Sequence, residues 1–462
     1  MTADTHPVGP QGRAFSVAGA HVLVVGAARS GVAAAELLVA RGASVALTDR
    51  AHVIRDEERL RAIGVTLDLG RHDPRLFTGA DLVVTSPGVP PDLPALQDAR
   101  RARVPVIGEL ELASRWIQGR LVAITGTKGK STTSTLVGRM LEASGRRVLV
   151  GGNIGVPLSA QVEASTPDTV HVVEASSFQL EATETFHPAI AAILNFSADH
   201  LDRHADEAEY AAAKSRMFAN QSPEDWRVVD ADRPETFPIA AAGQARERRY
   251  SSARVLDDGV SVQDGVVRRR TPAGNLDLAP IGATRLRGHH MVTNVVAACA
   301  IADLAGATPE GMTAALESFG GLEHVMEQVA EIGGVRFVND SKATNVDAAA
   351  RAIESYEGVV AIVGGRYKGG RFEDLAGPLR AHGRAVVAIG EAAPLVRSAL
   401  AGTVAVVDAS SMAEAVARGR ELAAPDGVVL LAPACSSFDM FEDYAARGRA
   451  FKAAVGELRK DA

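Results

Sequence analysis

The sequence predicts an α/β protein of three successive units, and two observations carry that prediction. Short runs of Val, Ile, Leu and Ala alternate with helical patterns along most of the 462 residues, as buried parallel strands and their crossover helices do. Only at 226–287 does the pattern change, to short alternating runs with Gly turns and no helical signal, which predicts a β-rich insertion or edge sheet. The length suits about three domains, each able to bury its own core.

The elements follow in order. Residues 1–18, with Pro and Gly near the start, are expected to form a flexible tail. Residues 19–108 make a small unit with strands at 21–26, 44–48 and 81–85 and a helix at 30–41. Residues 109–320 open with a strand at 121–125, a Gly-rich turn and a helix at 130–144. Strands at 171–175 and 191–195 then run into polar residues at their C-terminal ends, the edge where parallel sheets bind ligands. After the insertion come helices at 291–304 and 309–319. Residues 321–462 form a third α/β unit with strands at 335–338, 359–363, 385–389, 403–407 and 428–431.

Composition narrows the function. The net charge of −7 and the lack of a long basic run argue against a nucleic-acid partner, and Arg268-Arg269-Arg270 reads as a solvated turn. Two cysteines, Cys299 and Cys435, build no disulfide framework and suit a reducing compartment. No apolar run approaches the ~18 residues of a membrane span, and residues 1–18 lack a signal-peptide core, so a cytoplasmic location is expected.

Lysine usage points to the chemistry. Only seven of the 49 basic residues are lysine, and five of these fall in short motifs or an apolar helix: Lys128, Lys130, Lys214, Lys342 and Lys368. A chain that otherwise writes Arg keeps Lys where a compact, deprotonatable amine is needed.

Thr125-Gly126-Thr127-Lys128-Gly129-Lys130-Ser131-Thr132 joins a strand to a helix. The glycines let backbone N–H groups curl round phosphate oxygens, Lys130 can reach the β- and γ-phosphates, and Ser131 can ligate Mg²⁺. The spacing departs from the common P-loop, because the first Gly lies three residues before Gly129. ATP binding is the reading.

Gly26-Ala27-Ala28-Arg29-Ser30-Gly31, with Asp49 ending the next strand, is similar to a dinucleotide fingerprint with Ala28 in place of a Gly. A nicotinamide dinucleotide, another phosphorylated ligand and a purely structural turn all remain open for it. Glu174, and Asp199-His200 after the following strand, place hard oxygens and an imidazole near the P-loop, as a Mg²⁺ site requires; a satisfied surface histidine is the competing reading. Lys214, on an apolar helix face, should have a lowered pKa, and its neutral amine could take up CO₂ as a metal-bridging carbamate; a solvated helix lysine competes. Asn339-Asp340-Ser341-Lys342-Ala343-Thr344-Asn345 follows a strand and reads either as a helix cap with a surface Lys or as an anion clamp.

These residues, with Gly151-Gly152-Asn153-Ile154-Gly155, Leu194 to His200 and Ala434 to Phe441, together resemble the Mur ligase family over nearly the whole chain. The Ser176-Ser177-Phe178-Gln179-Leu180 and Ser436-Ser437-Phe438 segments resemble its glutamate-adding member more than its siblings, and the Asp-Asn-Pro-Arg of the diaminopimelate- or lysine-adding ligase is absent.

The resemblance implies an N-terminal Rossmann-like domain for a uridine nucleotide sugar, a central P-loop ATPase-like domain and a C-terminal Rossmann-like domain. It implies ATP-dependent addition of D-glutamate to UDP-N-acetylmuramoyl-L-alanine through an acyl phosphate, in peptidoglycan precursor synthesis, by a monomer. An L-glutamate-adding relative and a folate polyglutamylating ligase stay open. By resemblance, ATP meets Gly126 to Thr132, Asn294 and Asp340, and one Mg²⁺ meets Ser131 and Glu174. A second Mg²⁺ meets His200 and carbamylated Lys214. The sugar nucleotide meets Ser30, Asp49, Arg50, Ser86, Asn153 and Ser176. Lys342, Thr344, Lys368, Ser437, Phe438 and Tyr444 complete the substrate site, Lys342 also facing the reacting phosphates.

Three positions depart from the family pattern. Met291 stands for an Asn after His290, Val325 for an Arg after His324, and Lys128 for the usual P-loop Asn. Lys128 is expected to supply the charge that Val325 removes.

Overall fold

The computed structural model describes residues 15–197, 199, 203–284, 289–367 and 369–460. His200 and Lys368 therefore lie outside the described residues, as do the side chain of His290 and most of the expected tail. Of that tail, residues 15–18 are packed: Val17 is 3% exposed and the Phe15 ring lies 5.0 Å from that of Trp116.

Three sheets are formed among the described residues. The first contains β1 (His21–Val25), β2 (Ser44–Asp49), β3 (Thr66–Leu69), β4 (Leu82–Thr85) and β5 (Val106–Gly108), in order β3-β2-β1-β4-β5 and parallel throughout. The Val and Leu runs of β1 and β4 are buried, as in a sheet covered on both faces.

The central sheet has nine strands: β6 (Arg120–Thr125), β7 (Arg147–Gly152), β8 (Thr169–Glu174), β9 (Ile190–Ile193), β10 (Trp226–Asp230), β11 (Arg246–Ser251), β12 (Gly259–Gln263), β13 (Val266–Thr271) and β14 (Gly274–Pro280). Their order is β14-β13-β12-β11-β10-β9-β6-β8-β7. The sheet is parallel up to β12 and turns antiparallel through β13 and β14. The β-rich stretch is therefore an extension of this sheet. Two expectations are corrected here. The stretch does contain helix, a 3₁₀ turn at Pro234–Thr236 running into Phe237–Ala240. Arg268, Arg269 and Arg270 are not a turn but part of β13, where each guanidinium finds an acceptor: Asp277 across the hairpin (3.1 Å), Asp303 (2.8 Å) and Gln263 (2.7 Å).

The helix Glu109–Ser114 joins the first two sheets. The buried Glu111 carboxylate accepts hydrogen bonds from the backbone N–H groups of Glu184 (2.8 Å) and Phe186 (3.0 Å), and Glu109 accepts from Ser159 N (2.7 Å). Burial pushes the Glu109 carboxyl up from its ordinary value. One core runs from Val24 and Leu38 through Leu110 and Trp116 to Ala123 and Phe218, so the two sheets share an interior.

Residues 320–462 form a second compact unit, separate from 1–319. Its sheet contains β15 (Glu327–Ile332), β16 (Val335–Asn339), β17 (Val359–Gly364), β18 (Gly383–Ile389), β19 (Ala405–Ala409) and β20 (Val428–Leu431), in order β15-β16-β20-β17-β18-β19. Only β15 is antiparallel. β3, β5, β7 and β15 carry no strand expectation from the sequence: all four lie at sheet edges, β3 and β5 are only four and three residues long, and β15 mixes polar with apolar residues.

Candidate active site

The turn after β6 is shaped by its neighbours as much as by its glycines. Gly126 (φ +151°) and Gly129 (φ +80°) adopt backbone conformations that disfavour side chains, and a methyl group on Gly129 would overlap Asn294 Oδ1. Asn195, beyond β9, spans the turn. Its Oδ1 accepts from Thr127 N (3.1 Å) and Lys128 N (2.9 Å), and its Nδ2 donates to Lys128 O (3.0 Å). The helix Lys130–Ala143 then starts with its N-terminal N–H groups facing the turn, a favourable place for an anion.

Two lysines converge on the same carbonyl. Lys130 Nζ donates to Gly126 O (2.8 Å) and Thr127 O (3.0 Å), and Lys214 Nζ donates to Gly126 O (3.1 Å). Lys214 lies on the helix Glu207–Ser215, 1% exposed, with its ammonium 4.4 Å from the Tyr210 ring centre. Burial, then the charge of Lys130, lowers its pKa to about 7, so a neutral amine is accessible near neutral pH. The buried lysine expected from the sequence is found, and the solvated-helix alternative is excluded.

Glu174 ends β8 beside β6 and is 1% exposed. Its Oε1 accepts from Asn153 Nδ2 (2.7 Å), while Oε2 is buried with no hydrogen-bond partner among the described residues. A buried carboxylate oxygen left open beside a phosphate-type turn suits a hard cation that also keeps water and phosphate oxygens. Among the described residues no three His, Cys, Asp or Glu gather as a full protein cage. That is the donor set Mg²⁺ takes when a substrate phosphate completes its shell, so Glu174 and Ser131 fit the ion.

Two further residues near this turn carried no signal of their own in the sequence. His204 is buried, its Nε2 3.1 Å from Ser177 Oγ and its ring 5.2 Å from that of Tyr210. The Tyr210 hydroxyl lies 3.4 Å from Thr127 Oγ1, so an aromatic tier backs the turn. Ser176 is engaged in a capping box with Gln179 at the helix Ser177–Leu180.

At the first sheet, Asp49 accepts from Ala27 N (2.6 Å) and Ala51 N (2.8 Å), and Ser86 Oγ donates to Gly26 O (3.2 Å). Ser30 and Arg50 flank this turn in the sequence. In the second unit, Asp340 follows β16, and burial raises its pKa to about 6. Asn345 caps the helix Val346–Ile353 through Ala348 N (2.8 Å), as the cap reading of the motif predicts. Lys342 and Thr344 lie on this loop, while Ser437 (buried), Phe438 (57% exposed) and Tyr444 follow β20.

Fold and turns define a class, a multidomain α/β protein with a P-loop-type turn on its central sheet. Three family descriptions match the chain: "Mur ligase MurD-like, N-terminal domain" at 20–108, "Mur ligase middle domain" at 124–302 and "Mur ligase, glutamate ligase domain" at 326–435. The chain belongs to the Mur ligase family. It is 42% identical over 448 residues to the UDP-N-acetylmuramoylalanine--D-glutamate ligase of Koribacter versatilis, covering 96% of this chain and 99% of that protein. With the enzyme of the same name from Geobacter metallireducens it shares 44% over 451 residues, at the same coverage. Among solved structures, UDP-N-acetylmuramate-alanine ligase MurC of Thermotoga maritima superposes with TM-score 0.58 over 96% of this chain and all of that one. At 18% identity that likeness speaks to the fold alone.

Proposed function

We propose that the protein is an ATP-dependent ligase that adds D-glutamate to UDP-N-acetylmuramoyl-L-alanine in peptidoglycan precursor synthesis. The observation that carries this reading is 42–44% identity, over nearly the whole chain, to proteins named for that reaction. The family is ATP-dependent, and the turn after β6 has the donors such chemistry uses.

The L-alanyl carboxylate attacks the γ-phosphate of ATP, forming an acyl phosphate and releasing ADP. The amine of D-glutamate then attacks the acyl carbon, and the tetrahedral intermediate expels phosphate. In this reading Lys130 turns from the loop carbonyls to the phosphates, and the N–H groups of the turn and helix receive phosphate oxygens. Glu174 and Ser131 would hold Mg²⁺, which would neutralise developing charge on the phosphates. Asn153 keeps the Glu174 carboxylate oriented. The neutral Lys214 amine attacks CO₂, forming an N–C bond and losing one proton, to give a carbamate. That carbamate, with His200, would be a second cation site. Asp49, Arg50, Ser30, Ser86, Asn153 and Ser176 are assigned to the sugar nucleotide. Lys342, Thr344, Lys368, Ser437, Phe438 and Tyr444 are assigned to the amino-acid end, and Asn294 and Asp340 to the nucleoside of ATP.

The same reading takes 19–108, 109–320 and 321–462 as the three domains, with the packed residues 15–18 added to the first. Each range holds one complete sheet. It also places the protein in the cytoplasm, where ATP and sugar nucleotides are made, as a monomer. Among the described residues no helix is long and apolar enough to cross a membrane.

The test is phosphate release with ATP, Mg²⁺ and UDP-N-acetylmuramoyl-L-alanine, comparing D- with L-glutamate. Release requiring the sugar nucleotide and D-glutamate supports the reading. Release with L-glutamate alone moves the specificity, and release with a folate in place of the sugar nucleotide overturns it. Carbamylation is checked by ¹³C NMR after ¹³C-bicarbonate labelling, where a carbamate resonance lost in Lys214→Ala is expected.

A further inference from the structure

Two loops leave neighbouring strand ends in the second unit. One, residues 340–345, follows β16; the other, 432–441, follows β20, and the strands pair in parallel with Asn339 opposite Leu431. Direct backbone contact between them is sparse: Asp340 N donates to Leu431 O (2.9 Å) and Ala434 N to Ala343 O (2.9 Å). Ala434 sits at φ +57°, a left-handed conformation that is strained for a side-chain-bearing residue and needs support from its surroundings.

That support comes from a buried guanidinium. Arg447, on the helix Tyr444–Lys460, is 1% exposed. Its Nε donates to Ser341 Oγ (3.0 Å), one Nη to Ser341 O (2.9 Å) and the other to Cys435 O (3.1 Å). Ser341 Oγ donates onward to Tyr444 O (2.7 Å), tying the first loop to the same helix. The next residue, Gly448, packs so closely on His324 that a methyl group there would overlap its ring. Its hydrogen bonds among the described residues go to no carboxylate. Burial lowers its pKa to about 10, outweighing the charge of Asp439 on the second loop, which favours the protonated guanidinium. A cation desolvated this far, with only carbonyls and a hydroxyl as acceptors, is costly as a means of stability alone.

We propose that Arg447 is a positioning residue for the second half-reaction, holding the loop of Lys342 and Thr344 and the loop of Ser437 and Phe438 as one piece. The inference rests on the reading that these four residues fix D-glutamate. A planar fork can bond both loops at once, whereas a lysine ammonium is a single point that reaches one at a time. The two loops then shift relative to each other, and the amine of the incoming amino acid loses its line to the acyl carbon.

The experiment compares steady-state constants of the wild type with Arg447→Lys and Arg447→Ala. In both variants KM for D-glutamate is expected to rise on the order of ten-fold. KM for UDP-N-acetylmuramoyl-L-alanine, whose assigned residues all lie before 319, should stay within about two-fold. Added guanidinium chloride at millimolar concentration should restore KM in Arg447→Ala and not in Arg447→Lys. If Arg447→Ala does not fold, Ser341→Ala removes the hydroxyl's two bonds, to Arg447 and to Tyr444 O, and should raise the same KM about three-fold. An unchanged KM for D-glutamate, with only a lower melting temperature or active fraction, overturns the proposal. A wild type whose turnover ignores D-glutamate overturns the functional reading instead.

Discussion

The first and central sheets each follow their opening strand with a glycine turn and a helix, yet side chains from other segments give the two turns different charge. At the first turn, Asp49 takes the N–H of Ala27, so one donor is already spent on a carboxylate. At the central turn, Lys130 and Lys214 both bond to Gly126 O, and a neutral amide, Asn195, holds the loop. Similar local motifs thus offer different sites: the central turn is electropositive and suits the crowded charge of a triphosphate. The first keeps a carboxylate at its edge, an acceptor suited to ligand hydroxyl or N–H groups. The lesson is that a glycine turn supplies shape, while side chains brought to it from other strands and helices set its ligand.

The largest expected effect breaks the central turn. Lys130→Ala should cut turnover about 10³-fold at saturating ATP, in line with losing one preorganised cation or donor, while leaving binding of the sugar nucleotide intact by calorimetry. Equal loss of both would mean that the two turns are not separate sites. Next come the glycines. A methyl group in Gly31→Ala would collide with Gly26 backbone oxygen, and the chain should lose about 1–3 kcal/mol in urea unfolding. Gly129→Ala meets the Asn294 side chain, which can turn aside, but it also puts a methyl group at φ +80°, so a raised KM for ATP should come with a loss of about 1 kcal/mol in stability. Asp49→Asn keeps the fold of the first turn if the amide oxygen faces Ala27, and should raise KM for the sugar nucleotide roughly ten-fold without changing KM for ATP.

The smallest effect concerns the strand beside the central turn. His171 on β8 is buried, with Nδ1 3.0 Å from Gln161 Oε1 and Nε2 2.8 Å from Ser165 Oγ. Ser165 Oγ already accepts from Gln118 N (3.0 Å) and Gly119 N (3.3 Å), which use both its lone pairs, so a second proton on the ring is poorly received, and burial lowers the pKa to about 4. Between its ordinary value of 6.5 and about 4 the unfolded chain binds a proton that the folded chain does not. Stability should therefore fall as pH drops through that window. His171→Gln should flatten the slope of the urea midpoint against pH, and an unchanged slope would refute the assignment.

The sequence revealed those features that depend on near neighbours. The P-loop-type turn, the caps and most of the strand runs are legible because glycine freedom, N-cap hydrogen bonds and hydrophobic periodicity act within a few residues. Lys214 stood out only because the chain uses so few lysines; its burial belongs to the packing. Asn195 was readable as a polar strand end, though not as the residue that clamps Thr127 and Lys128 from far along the chain. Arg447 was invisible for the opposite reason: in an Arg-rich, Ala-rich helix nothing local separates a buried guanidinium from its exposed neighbours. Arg268 to Arg270 misled in the same way, since their partners Asp277, Asp303 and Gln263 come from other segments.

By itself the sequence determined the α/β class, the succession of three units, the position of each glycine turn and the supply of amines and carboxylates around them. These follow from short-range sterics and from the period at which apolar residues recur. Only the tertiary structure decided which strand ends meet, and with that which carboxylate oxygen is left without a partner, which amine is desolvated and which arginine is sealed between two loops. Those properties come from burial and from contacts between distant segments. Their energies depend on what fills the surrounding space, which no stretch of local sequence specifies.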